Sequence, residues 1–264
     1  MPVCSLSACL GVAHESPTPT AKLVLLSAPS RLWALLVDRV DGFIDVASEA
    51  VFPLPAMLRR PAGMLFDGVV YHAGEAMLTL LPAGLHPDLA QHPAAQPPEV
   101  LPVLSSAPPA PSTTGKLLCF TTAVQAQQEL PVTFGLSLSQ VVRMQQTPAL
   151  LQVPGAAPSI LGLMQWQGAP LAVIDLSARL GGPATAVMPN SRLLIARATG
   201  RRAFVSFPVR PQAQVRHLPL AHQPCTRPLP LHASLTRGTF DCANEILVIP
   251  DIDGLCAPQE EQRC

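Results

Sequence analysis

The sequence predicts an all-β protein of the barrel or sandwich class, built from one complete module preceded by part of another copy. Three observations carry this. From Lys116 onward, apolar runs of four to eight residues alternate with turn residues, the mark of many short strands. Two stretches of the 264-residue chain repeat one another at a constant offset of 170. Helical periodicity is confined to a few residues in each copy.

The repeat begins at the first residues. MPVCSLSACLGV at 1–12 lies over LAVIDLSARLGG at 171–182, with Val3, Leu6, Ser7, Ala8, Leu10 and Gly11 on identical residues. In both copies a short apolar strand meets a residue able to accept from free helix amides, Ser5 in one and Asp175 in the other. One or two helical turns follow and stop at Gly11 and Gly181. The same offset places KLVLLS (22–27) on RLLIAR (192–197). Turn residues then follow in each copy, Pro29-Ser30 and Thr199-Gly200, so both read as hairpins. At the far end Glu75, Gly84 and Leu85 fall on Glu245, Gly254 and Leu255. PLP at 53–55 matches PLP at 228–230 at an offset of 175, so the intervening loops differ in length.

Between the copies, residues 89–115 are rich in Pro, Ala and Ser and read as a semi-extended linker. The predicted strands beyond it are LLCF (117–120), PVTFGLSL (131–138), VVRM (141–144), ILGLMQW (160–166), PLAVI (170–174), RLLIARA (192–198), RAFVSF (202–207) and EILVIP (245–250). Residues 259–264 read as a tail.

Composition narrows the function. Basic and acidic residues balance at 17 each, which supplies no basic face for nucleic acid or anionic lipid. The longest apolar stretch, 23–37, is interrupted by Pro29, Ser30 and Arg31 and is short of the roughly 20 residues of a bilayer span. Seven cysteines with no CxxC spacing read as reduced thiols of a cytoplasmic protein. Leu6-Ser7-Ala8-Cys9 resembles a lipobox, yet no basic region or apolar core of about 7–15 residues precedes it. Cys9 is therefore expected to carry no lipid.

His217, His222, Cys225 and His232 lie close together, but their spacing fits no zinc pattern and the first copy has no matching set. They read as polar loop residues. Asp251 and Asp253 lack the later ligands of a calcium loop and read as a turn. Asp67 and Glu75 read as turn and solvated-face residues, and no nucleophile elbow, phosphate loop or HExxH motif is present. The expectation is a non-catalytic protein without metal or cofactor.

Residues 153–182, VPGAAPSILGLMQWQGAPLAVIDLSARLGG, resemble the core of CheW-like domains: a Pro-containing loop, a strand, a tight Gly turn, a strand ending in Asp-Leu, and a short helix closing on Leu-Gly. Residues 117–148 are similar to the opening strands of that family and 192–256 to its second half. The resemblance implies two small five-stranded SH3-like barrels with short helices over 116–258. It implies that 1–88 is the second half of a preceding copy. Met1 corresponds to Leu171, so about 55 residues, the counterparts of 116–170, have no match in the first copy. A start further upstream and a chain of one and a half modules both stay open. The strands of 1–88 are expected to leave open β edges that invite aggregation or strand donation.

The family's role implies a bacterial, cytoplasmic chemotaxis adaptor associated with receptor arrays. Its expected partners are the regulatory domain of a CheA-type histidine kinase and the cytoplasmic tip of a chemoreceptor, with no nucleic acid and no membrane insertion. A divergent scaffold for another kinase, or for a polar-localisation or motility system, is the alternative. Candidate partner contacts are Trp166, Gln167, Gly168, Val141 and Arg143; Asp175, Gly181, Ser5 and Gly11 are structural candidates. The family usually carries Arg-Gly at the turn where this chain has Gln167-Gly168. Gln lacks the charge and rigid donor fork of Arg. Trp166 fits either an interface anchor or a core residue.

Overall fold

The computed structural model describes residues 2–12, 19–28, 31–58, 65–81, 85, 116–122, 131–185, 187–200, 203–217, 223–224, 231–242 and 244–257. The linker 89–115, the tail 259–264, and His222 and Cys225 lie outside them. The chain divides into two compact units, one holding most of the first hundred residues and the other most of the remainder.

The first unit runs β1 (Val3–Ser5), α1 (Leu6–Cys9), β2 (Lys22–Ala28), β3 (Arg31–Val37), β4 (Val51–Pro53), β5 (Phe66–His72) and β6 (Glu75–Leu80). These strands form two three-stranded sheets, β1-β3-β2 and β4-β5-β6. Alternation decides which residues go inside. Trp33 and Leu35 of β3 are buried with Leu85, and Cys4, Val24, Leu26, Leu65 and Leu80 pack around them.

The second unit runs β7 (Lys116–Phe120), β8 (Val132–Ser137), β9 (Val141–Gln146), β10 (Ile160–Trp166), β11 (Ala169–Ile174) and α2 (Leu176–Arg179). It continues through β12 (Arg192–Arg197), β13 (Phe204–Val209), β14 (Gln214–His217), β15 (Gln223–Pro224), β16 (Thr236–Cys242), β17 (Glu245–Pro250) and α3 (Ile252–Leu255). One sheet has the order β10-β11-β13-β12-β9 and the other β14-β7-β8-β17-β16-β15. The first sheet curls until its outermost strands meet: Gln145 Nε2 of β9 donates to Met164 Sδ of β10 at 3.9 Å. Met164, Leu171, Val173, Leu193 and Ile195 fill that barrel. Phe207 of this sheet stacks at 5.5 Å on Phe120 of the other, which in turn stacks on Phe134 at 6.0 Å, so the two sheets share one core.

The repeat seen in the letters is repeated in hydrogen-bond register. β5 and β6 pair from Phe66↔Leu80 to His72↔Glu75 with a bulge between Phe66 and Gly68. β16 and β17 pair from Thr236↔Pro250 to Cys242↔Glu245 with a bulge between Thr236 and Gly238, every partner shifted by 170. In the other sheets, Val3 lies beside Ala34, itself opposite Leu25. Val173 lies beside Ser206, itself opposite Ile195. The hairpin of the second copy has thus absorbed two extra residues. The first unit contains no counterpart of β7 to β10 among the described residues.

Three expectations need correction. The second sheet of the complete module has six strands rather than five, because exposed β14 pairs with β7 and two-residue β15 with β16. Asp251 and Asp253 belong not to a plain turn but to the cap and first turn of α3. Asp175 caps α2 by accepting from Ala178 N at 3.2 Å, whereas Ser5 makes no cap bond because its hydroxyl pairs with Ser7 Oγ at 2.8 Å. Gly11 and Gly181 do end their helices at positive φ, +66° and +94°, where a side chain is disfavoured.

Candidate functional site

The β10–β11 hairpin turns on Gln167 and Gly168 alone. Their φ values are +50° and +82°, the geometry of a two-residue turn matched to strand twist. Glycine meets that demand freely, while Gln167 bears a conformational cost at a position where its side chain is exposed. The turn therefore projects a neutral amide, which donates and accepts but attracts no carboxylate by charge.

Arg143 and Trp166 come together from the two ends of the same sheet. The Arg143 guanidinium carbon lies 6.0 Å from the Trp166 ring centroid, at the outer limit of a cation–π contact. Register explains the approach. Arg143 pairs with Ile195 across β9–β12, with a slip between Ile195 and Ala196 that leaves Val142 as the extra residue. Cross-strand partners share a face, so Arg143 leans over the barrel interior that Ile195 helps to fill. Trp166 packs against that interior, and its buried Nε1 has no hydrogen-bond partner among the described residues. The half-buried indole thus lies between that interior and Arg143. Val141 is half-buried opposite Ala196.

Val142 is the surface residue that sequence reasoning missed. It is exposed beside Arg143; VVRM reads as alternation, and the bulge that turns Val142 outward has no sequence signal. Asp175 stands apart from this patch, buried, its second oxygen accepting from Thr185 N at 2.5 Å. Gly181, Ser5 and Gly11 likewise serve their helices rather than the hairpin tip.

The other candidate clusters are occupied by structural bonds. Arg237 pairs with Asp251 at 2.9 Å and Asp253 at 2.8 Å, and Asp253 also accepts from Thr199 N and Gly200 N. These carboxylates tie one hairpin turn to α3. His217 and His232 are exposed on β14 and ahead of the turn at Ala233–Leu235. Among the described residues no group of three His, Cys, Asp or Glu side chains is placed to hold a metal. No described helix is long and apolar enough to cross a membrane.

A family model for the CheW-like domain matches residues 1–86 and 119–260, most of the chain. The chain belongs to the CheW-like domain family. CheW-like domains are non-catalytic scaffold modules that work through protein–protein contacts in chemotaxis complexes, and this chain matches the family in two segments. No curated protein matches it. Among solved structures, the scaffolding protein TtCheW from Thermoanaerobacter tengcongensis aligns with a TM-score of 0.43 and 18% identity, over 53% of this chain and 90% of that one.

Proposed function

We propose that this CheW-like protein is a chemotaxis adaptor whose complete module joins the regulatory domain of a CheA-type histidine kinase to the cytoplasmic tip of a chemoreceptor. The observation that carries the reading is the family match over 119–260, which spans most of the second unit. Gln167, Gly168, Arg143 and Val142, with the Trp166 edge beneath them, are the contact surface in this proposal. A coupler of this kind holds kinase and receptor in one assembly, so that a change in either biases the other through shared contacts. Its interfaces are of the small, transient class. The proposed location is the cytoplasm, at receptor arrays.

Gln167 favours a second reading, in which the module serves a different kinase or motility system. A partner carboxylate that a family arginine would grip in bidentate fashion finds only a neutral amide here. Calorimetric titration of the full chain with the kinase regulatory domain and receptor tip of its own organism separates the two. Saturable heat with either partner supports the first reading. Absence of heat from both at high micromolar concentration overturns it.

A further inference from the structure

We propose that the cleft between the β8–β9 turn and the β12–β13 hairpin of the second unit receives an aspartate or glutamate side chain of a partner protein, held by Arg197. Ser139 and Gln140 line it from the turn, and Arg197, Thr199, Gly200 and Phe204 from the hairpin. Gln140, itself buried, joins the two walls. Arg197 N donates to its carbonyl oxygen at 2.8 Å, and its Nε2 donates to Thr199 Oγ1 at 3.2 Å. That bond uses the Thr199 oxygen as acceptor and leaves its hydroxyl proton without an acceptor among the described residues.

Arg197 is exposed and has no carboxylate partner among the described residues, whereas Arg39, Arg216 and Arg237 each have one. The acid that touches this hairpin is already engaged. Asp253 accepts from Gly200 N through Oδ1 at 2.8 Å, and through Oδ2 from Thr199 N at 3.2 Å and Arg237 at 2.8 Å. No Asp or Glu stands among the described residues that line the cleft. An unpaired surface arginine alone marks nothing, because solvent satisfies it. Here the guanidinium belongs to a concave wall that holds donors and no acid, and Arg197 pairs across the strands with Phe204, half-buried against the barrel core. Cross-strand partners share a face, so charge and apolar wall lie side by side. An acidic side chain needs both, a fork of donors for its oxygens and apolar surface for its stem.

Charge and shape fix the ligand class. One guanidinium matches one carboxylate, whereas a phosphoryl group brings about −1.5 to −2. A free metabolite needs a pocket that buries about 70–90% of its surface, and Arg197, Thr199 and Gly200 are all exposed. An acid presented by a protein needs no such enclosure. Arg197 lies two residues beyond Ile195, the partner of Arg143, so the cleft continues the proposed contact surface along β12. That the partner is a signalling protein rests on the adaptor reading; the carboxylate preference rests on the cleft alone.

NMR of the full chain, read at the Gly200 amide and the Arg197 Nε–H, tests it. The probe is the acetylated, amidated tripeptide Leu-Glu-Leu, with Leu-Gln-Leu as its neutral match. The expected result is a saturable shift of both signals with the glutamate peptide and none with the glutamine one. Followed at Gly200, Arg197→Gln should weaken binding about tenfold, Arg197→Lys less, and Arg192→Gln, at the far end of β12, not at all. Absence of any shift up to the solubility limit of the peptide, or equal shifts with both peptides, overturns the proposal. So does inorganic phosphate acting at lower concentration, because the ligand would then be a phosphoryl group. Movement of the same signals in the Glu260→Gln/Glu261→Gln double variant without peptide also overturns it, because the tail would then be the occupant. A peptide shift that stands while kinase and receptor domains give no heat sinks the adaptor reading and leaves this one in place.

Discussion

Ser206 sits in the filled barrel with its hydroxyl buried and no hydrogen-bond partner among the described residues. A buried orphan hydroxyl costs about 1–3 kcal/mol of desolvation. The first unit places Ala34 at the same register position, also fully buried. Ser206→Ala should therefore stabilise the second unit by about 1 kcal/mol, read as a rise in its thermal midpoint; a fall would show that the hydroxyl is bonded. Burial also governs the thiols. It raises the Cys119 and Cys242 pKa values above their ordinary 9.0, with Glu245 adding to the effect and Arg216 opposing it. For Cys9 burial acts first and Cys4 second. A thiol whose pKa is raised by folding contributes stability fully present below its unfolded value and lost as pH rises through the folded one. Denaturant midpoints should accordingly hold to about pH 9 and decline above it, and alkylation of Cys119 should lag behind that of an unfolded control. Equal alkylation rates would contradict the burial of that side chain.

The bulged hairpins show how one element can keep its register and change its tolerance. In β5, a Cβ on Gly68 would meet the Phe52 carbonyl oxygen at 2.7 Å and Val51 Cγ1 at 2.9 Å, so backbone must move. In β16, a Cβ on Gly238 would meet only the ring end of Phe240, at 3.0 Å. Gly68→Ala should cost about 2 kcal/mol, while Gly238→Ala should fall within about 0.5 kcal/mol of neutral once the ring swings aside. Local hydrogen-exchange protection of β5 and β16 measures each; equal losses would mean that the two bulges are packed alike. The matching glutamates diverge in the same way. Glu245 accepts from Thr133 Oγ1 at 2.6 Å and pairs with Arg216, whereas Glu75 is exposed, and no strand equivalent to β8 is found among the described residues of the first unit.

Across the whole molecule, what could be read in advance was what repeats. Val3 to Gly11 against Val173 to Gly181 located β1, α1 and their counterparts, and the apolar runs ILGLMQW and EILVIP became β10 and β17 to the residue. Strands that mix polar and apolar letters escaped: QVRH is an exposed edge held by β7, and TRGTFDC is half-buried and bulged. Their formation is decided by the neighbouring strand, which no local pattern records. The hairpin tip was legible as a turn from Gln167-Gly168, but the Arg143–Trp166 contact was not, since it depends on the sheet curling until β9 and β10 meet. In this account the proposed adaptor surface lies on the second unit and not on the first. The affinity of the full chain for a CheA-type regulatory domain tests this division directly, measured for the wild type, Gln167→Arg and Leu25→Asp. Gln167→Arg should tighten binding by restoring a charged, bidentate donor, with stability shifted by less than about 0.5 kcal/mol, and Leu25→Asp should leave affinity unchanged. Loss of binding in Leu25→Asp, with Gln167→Arg without effect, would contradict the account and move the kinase contact to the first unit.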